Sequence, residues 1–256
     1  MKLAYLGTVY RGYADLVAAR AAGAPGRSFA SWREELEGDA YGWVGAWGPA
    51  LAPLGWEFLE VQHNVAPLQR AWAREQGLAA DASPDDVALA QVERFRPELL
   101  WYDHHDAALL GRLRERCRSL RAVVGWAGSV PPDTALTRGC DLTLSCARET
   151  VAALERGGTR AAHLDHAFNE RVLESLPPRA PTLDVSFVGQ IAADHPLHEH
   201  RERLLEALLA ERPVAVFSPT AETPAPMAAA VGPRRVLYAA AQALRRTGMD
   251  EEALRR

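Results

Sequence analysis

The residues able to do chemistry gather in short polar clusters that follow apolar runs. Gln62-His63-Asn64 follows Trp56–Val61, and Tyr102-Asp103-His104-His105-Asp106 closes the run that begins at Glu98. Trp126-Ala127-Gly128-Ser129 ends a third run, His163 to Asn169 forms a fourth cluster, and Val188-Gly189-Gln190 a fifth. Imidazoles, carboxylates and amides of this kind do acid–base work, bond hydroxyl-rich ligands or hold metal ions. All eight histidines lie between His63 and His200.

Each cluster carries a structural alternative. His63 and Asn64 can bond a polyhydroxylated ligand, or Asn64 can cap the next helix. Tyr102, Asp103, His104, His105 and Asp106 can bind metal, act in acid–base chemistry or hold a ligand, or Asp106 can serve as an ordinary helix cap. Neighbours on an extended chain point opposite ways, so His104 and His105 do not share one ion. The Asp-His-His run resembles metal phosphoesterases, but those need further aspartates after the first strand. Here that strand ends in Leu6-Gly7-Thr8-Val9, which disfavours a two-metal hydrolase and leaves Gly7 and Thr8 as ligand-contact candidates.

Small residues after Trp126, as far as Ser129, let a ligand approach the backbone, or form a tight turn into Pro131-Pro132. His166 falls after a short strand and shortly before a proline-rich stretch; a lone histidine is usually structural, but this position favours a ligand role. Gly189, beside Gln190, allows backbone amides to approach a diphosphate. No GxGxxG and no GxxxxGK[ST] occurs, so dinucleotide and P-loop readings lose their main support. His195, His198, His200 and Arg201 crowd the next helix start as a solvated, partly capping segment. The seven tryptophans, Trp32, Trp43, Trp47 and Trp56 among them, either stack on sugar rings and bases or fill core.

The elements that must position these groups alternate between strand and helix. Strands are expected at Lys2–Leu6, Trp56–Val61, Glu98–Tyr102, Ala122–Trp126, Asp141–Ser145 and Ala161–Leu164. Helices are expected at Asp39–Pro53, Val65–Gln76, Asp85–Phe95 (Ser83 as N-cap), Ala107–Arg118 and Arg148–Glu155. This alternation predicts an α/β fold, a doubly wound Rossmann-like parallel sheet. Clusters at the carboxyl ends of such strands face the ligand crevice. Leu173–Pro181 is the linker candidate, giving residues 1–172 as a first domain, 173–182 as linker and 183–256 as the opening of a second Rossmann-like domain. In that second part, Leu183–Val188 and Val214–Phe217 read as strands, and Glu199–Ala210, Arg235–Arg246 and Met249–Arg256 as helices. Ala221–Val231 is broken by prolines.

The chain has 256 residues, 48% hydrophobic and 24% charged, with a net charge of -4. A mildly acidic surface offers no general attraction to nucleic acid. Three cysteines, Cys117, Cys140 and Cys146, make neither a disulfide framework nor a paired metal motif. No apolar run approaches the ~18 residues of a membrane span, and the N-terminus lacks a signal-peptide pattern. A cytoplasmic protein is expected.

The segments NVAPLQRAWAREQGL (64–78), DLTLSCARETVAALERGG (141–158), AAHLDHAFNERVLESL (161–176), DVSFVGQI (184–191) and HRERLLEALL (200–209) together resemble the spore-maturation CgeB-like glycosyltransferases, two-domain sugar transferases of the GT-B type. The resemblance runs from about Asn64 to Arg212 and includes the opening strand. It implies a first domain that holds the acceptor, a second that binds a nucleotide sugar, and reaction in the cleft between them. It places His166 and Asn169 at that cleft and Gly189 and Gln190 near the donor diphosphate, without metal or other cofactor. The family's nucleotide-gripping residues would lie beyond Arg256, so the 256-residue form is expected to have little or no transferase activity. Self-association, or disorder from about Thr220, is expected of an unfinished second domain. A non-catalytic binding module and a metal-dependent phosphoesterase are the competing classes.

Overall fold

The computed structural model describes residues 1–129, 135–191 and 199–218. The chain divides into two compact units, Met1–Pro177 and Pro178–Arg256. The elements expected at 221–231, 235–246 and 249–256, and the behaviour expected from Thr220 onward, lie outside the described residues.

The first unit is α/β, Rossmann-like and fully parallel. Its strands are β1 (Lys2–Gly7), β2 (Glu57–Gln62), β3 (Leu99–Asp103), β4 (Ala122–Trp126), β5 (Leu142–Ser145) and β6 (Ala161–His163), in the order β2-β1-β3-β4-β5-β6. The order reverses between β1 and β3, so the loops that leave those two strands diverge and open a crevice. Gly7 pairs with Gln62 on one side and with Asp103 on the other. Three of the polar strand ends therefore meet at one point of the sheet edge.

The helices are α1 (Arg11–Ala22), α2 (Phe29–Asp39), α3 (Trp47–Leu51), α4 (Ala66–Glu75), α5 (Pro84–Phe95), α6 (Ala107–Arg116), α7 (Ala135–Arg138), α8 (Arg148–Arg156) and α9 (Arg171–Ser175). α5 and α6 bury one sheet face: Leu89, Val92, Leu109 and Leu113 pack on Leu6, Leu100 and Tyr102. Sequence chemistry sets where these helices start. The Ser83 hydroxyl accepts the Asp86 amide with Pro84 at the first turn, and Asp106 accepts the Ala108 and Leu109 amides, as good N-caps do. A second core joins Val17, Trp32, Leu36, Val65 and Leu68 from α1, α2 and α4.

One expected helix is corrected. Asp39–Pro53 is not one helix: α2 ends at Asp39, and helix resumes only at Trp47–Leu51, continued by a 3-10 turn at Ala52–Leu54. Gly42 and Gly45 take φ of 60° and 71°, left-handed values that a right-handed helix cannot contain. The interrupted segment swings Trp43 and Trp47 over the other sheet face.

The second unit contains β7 (Ser186–Val188), α10 (Glu199–Glu211) and β8 (Ala215–Phe217). β7 and β8 pair in parallel. Among the described residues, no helix is long and apolar enough to cross a membrane.

Candidate functional site

Side chains alternate across a strand, so the end of β3 serves both sheet faces. Trp101 and Asp103 point to the face of Tyr5 and Trp126; Tyr102 and His104 point to the α5–α6 face. The two faces carry different chemistry.

On the Asp103 face lies a cavity of about 740 Å³. Its walls are Trp43, Trp47, Trp101 and Trp126, with His166, Phe168 and Asn169 arriving from the segment after β6. Trp47 of α3 meets Trp101 edge-on at 4.6 Å between ring centroids, and Trp101 is stacked at 6.2 Å on Trp126. His166 sits against both Trp43 (6.0 Å) and Trp126 (5.2 Å). A wall of this kind offers broad π-faces to an apolar ring face, while its polar atoms are few and fixed in position.

The fixed polar atoms form a chain. Trp43 Nε1 donates to Tyr5 Oη at 3.1 Å, and Tyr5 Oη donates to Asp103 Oδ2 at 3.1 Å. Burial pushes the Tyr5 phenol far above its usual range, so it stays protonated and donates. Asp103 Oδ1 has no protein partner among the described residues, and Asp103 lines the cavity. Burial pushes the Asp103 carboxyl up to about 6, against the opposing effects of the Tyr5 hydrogen bond and the His105 charge. A carboxylate raised in this way by a cleft suits proton transfer.

Gly7 makes this arrangement possible. A Cβ there would lie 2.2 Å from Tyr5 Oη and 2.5 Å from the ring carbon that bears it. The bare glycine lets the phenol cross it to reach Asp103. Gly7 therefore serves a protein side chain; it does not line the cavity.

The cavity has little to hold a phosphate. Arg171 is the guanidinium among its described lining residues, and its Nη1 is engaged with the Gly45 carbonyl at 2.8 Å. Asp103, Asp165 and Glu170 line the same space. Three carboxyls around four tryptophans favour a neutral or cationic occupant over an anion.

Of the residues singled out from sequence, Asp103, Trp126, His166 and Asn169 meet at this cavity. Thr8, His105 and Ser129 are exposed and outside it. Asn64 neither lines it nor caps α4, whose N-cap is Val65. Its side chain instead accepts the Val9 amide at 2.9 Å and donates to the Val9 carbonyl at 2.7 Å, tying together the loops after β1 and β2. His63 and His104 lie on the opposite face, stacked at 4.2 Å, with His63 Nε2 2.8 Å from Asp85 Oδ1. In the second unit the Gly189 amide is used up in the sheet, donating to the Phe217 carbonyl at 3.0 Å, and the Gln190 carbonyl accepts Arg201 Nη1 at 2.8 Å. The Gly189 amide is thus not presented to a diphosphate.

Three contributors escaped the sequence: Tyr5, Trp101 and Asp85. Tyr5 and Trp101 sit inside apolar runs, where an aromatic ring reads as core. The available signal was the polar tip of Tyr5 two residues before a glycine at a strand end.

No protein-family model matches the chain, and no curated protein matches it. The resemblance to CgeB-like transferases therefore rests on those five sequence segments and the opening strand alone.

Proposed function

We propose that the chain is the acceptor-binding part of a sugar transferase, with a neutral sugar ring held in the tryptophan-walled cavity and Asp103 as its proton acceptor. The carrying observation is a carboxylate, Asp103, that lines a cavity walled by four tryptophans while Tyr5 holds its Oδ2. Pyranose rings have an apolar face of C–H groups and an edge of hydroxyls. Trp43 and Trp126 suit the face, and Asp103 and Asn169 suit the edge.

In the reaction, an acceptor hydroxyl loses its proton to Asp103 as its oxygen bonds to the anomeric carbon of a nucleotide sugar. The bond from that carbon to the diphosphate breaks, and the nucleoside diphosphate leaves with the electron pair. Tyr5 holds the other carboxylate oxygen and so aims Oδ1 at the acceptor. The donor role of Gly189 and Gln190 rests on the family resemblance alone, since the Gly189 amide is already bonded. A non-catalytic sugar-binding module would use the same walls and leave Asp103 as a simple hydrogen-bond acceptor.

Calorimetric titration of the 256-residue chain with a panel of neutral glycosides tests the binding step. Saturable binding to at least one glycoside is expected, weakened at least about tenfold (about 1.4 kcal/mol) in Trp126→Ala. A chain that binds none, or whose binding ignores Trp126, overturns the proposal. Any residual transfer from a nucleotide sugar, abolished by Asp103→Asn with glycoside affinity kept within a few-fold, supports the transferase reading over a pure binding module.

A further inference from the structure

The opposite side of the same sheet edge carries a second constellation. His63 follows β2, His104 follows β3, and Asp85 is the second residue of α5. β2 and β3 are not neighbours, because β1 lies between them; the fold, not the sequence, brings the three together. One ligand atom from each lies within 4.8 Å of the other two. We propose that His63, Asp85 and His104 bind a first-row transition-metal ion of the Zn²⁺ class through two imidazoles and one carboxylate.

The donor set suits that class. Imidazole and carboxylate are the ligands of borderline divalent ions, and three protein ligands leave one position for water. Ligands about 2.0–2.1 Å from a tetrahedral Zn²⁺ are about 3.4 Å apart. His63 Nε2 and Asp85 Oδ1 are already 2.8 Å apart. The longest spacing allowed by the cluster exceeds the tetrahedral edge by only about 1.4 Å, within reach of side-chain rotation. All three residues are half-buried, so the ligands are partly desolvated before an ion arrives. An ordinary histidine–aspartate hydrogen bond explains the 2.8 Å contact, but not a second imidazole stacked 4.2 Å from the first.

The surroundings orient the carboxylate. Arg112 is anchored on Asp86 and lies 4.0 Å from Asp85 Oδ2, which leaves Oδ1 for the ion at some cost in affinity. Asp106 caps α6 through Oδ1 and adds negative charge near both histidines. An ion here would pin the start of α5 to the ends of β2 and β3. Because His104 is the next residue after Asp103, it would also stiffen the backbone that carries Asp103 on the cavity face.

The test uses the full 256-residue chain without a histidine tag, stripped with a chelator. Zn²⁺ is titrated in competition with a chromophoric chelator, and Co²⁺ is followed by its visible absorption. One equivalent of Zn²⁺ is expected to bind and to raise the thermal midpoint, with Co²⁺ giving the intense bands of a four-coordinate nitrogen–oxygen site. Asp85→Asn keeps size and hydrogen bonding, and His104→Gln keeps a polar side chain. Each should weaken binding by at least about tenfold, the scale seen even for residues that only support ligands, with far-ultraviolet circular dichroism confirming the fold. Absence of stoichiometric Zn²⁺ binding overturns the proposal. So does binding that survives both substitutions, because the ion would then sit on other histidines such as His163 or His195.

Discussion

Replacing Gly7 with alanine probes the least obvious joint of the cavity. The new methyl carbon would stand 2.2, 2.5 and 2.8 Å from three atoms of the Tyr5 side chain, where ordinary contacts are about 3.5–4.0 Å. The phenol must therefore retreat by more than about 1 Å. It has little room, because Tyr5 is 1% exposed and Trp47 lies 5.6 Å from its ring. Overpacking of this kind costs about 1–3 kcal/mol. Breaking the hydrogen bond from Tyr5 to Asp103 adds about 1 kcal/mol or more, since its acceptor is ionisable. A total of about 2–4 kcal/mol corresponds to a fall in Tm of roughly 5–12 °C for a unit of this size. Differential scanning calorimetry and urea titration measure it directly. A double-mutant cycle with Tyr5→Phe isolates the cause: removing the nearest oxygen should recover about 1 kcal/mol of the alanine penalty. If Gly7→Ala is as stable as the parent, or if the two changes simply add, the account of Gly7 as the floor beneath Tyr5 is wrong.

Other outcomes follow from side chains near the same edge. Asn64→Ala removes two bonds to Val9 and should cost about 1–3 kcal/mol by urea denaturation, with glycoside affinity unchanged because Asn64 does not line the cavity. Glu60 is held above the ordinary carboxylate range by burial, although it accepts the Gly45 amide and the Gln62 side chain. A carboxyl raised in the folded state favours folding while protonated and loses that contribution as pH rises through its folded value. Glu60→Gln, which stays neutral, should therefore raise the thermal midpoint at about pH 7.5 and leave it nearly unchanged at about pH 4. Its amide can also serve Gln62 Oε1, which is buried without a partner among the described residues. A gain at acid pH with none at neutral pH would reverse the sign and refute this assignment. Ser83→Ala removes the hydroxyl that accepts the Asp86 amide and should cost about 1 kcal/mol, read from the urea midpoint.

The strands were legible because a parallel sheet buried by helices needs apolar runs at the right intervals, and β4 was bounded to the residue. α5 was legible for a local reason, its Ser83-Pro84 start. α1 and α2 were not read. α1 buries only Tyr13 and Val17, and α2 only Trp32 and Leu36, too few apolar positions to impose a helical period. The tryptophan- and glycine-rich stretch after Asp39 was misread because composition does not reveal which glycines take positive φ. For the site, strand ends pointed to Asp103, Trp126 and His166 separately, while their convergence depends on strand order. The approach of His63 to His104 depends on it too, and sequence separation hides both.

The central claim is that a sugar ring occupies the tryptophan-walled cavity and presents a hydroxyl to Asp103. A crystal structure of the chain with its best-binding glycoside tests this most directly. The account predicts the ring face against Trp43 or Trp126 and a hydroxyl about 2.6–3.2 Å from Asp103 Oδ1. A glycoside bound elsewhere, or one in the cavity with its hydroxyls turned away from Asp103, would contradict it.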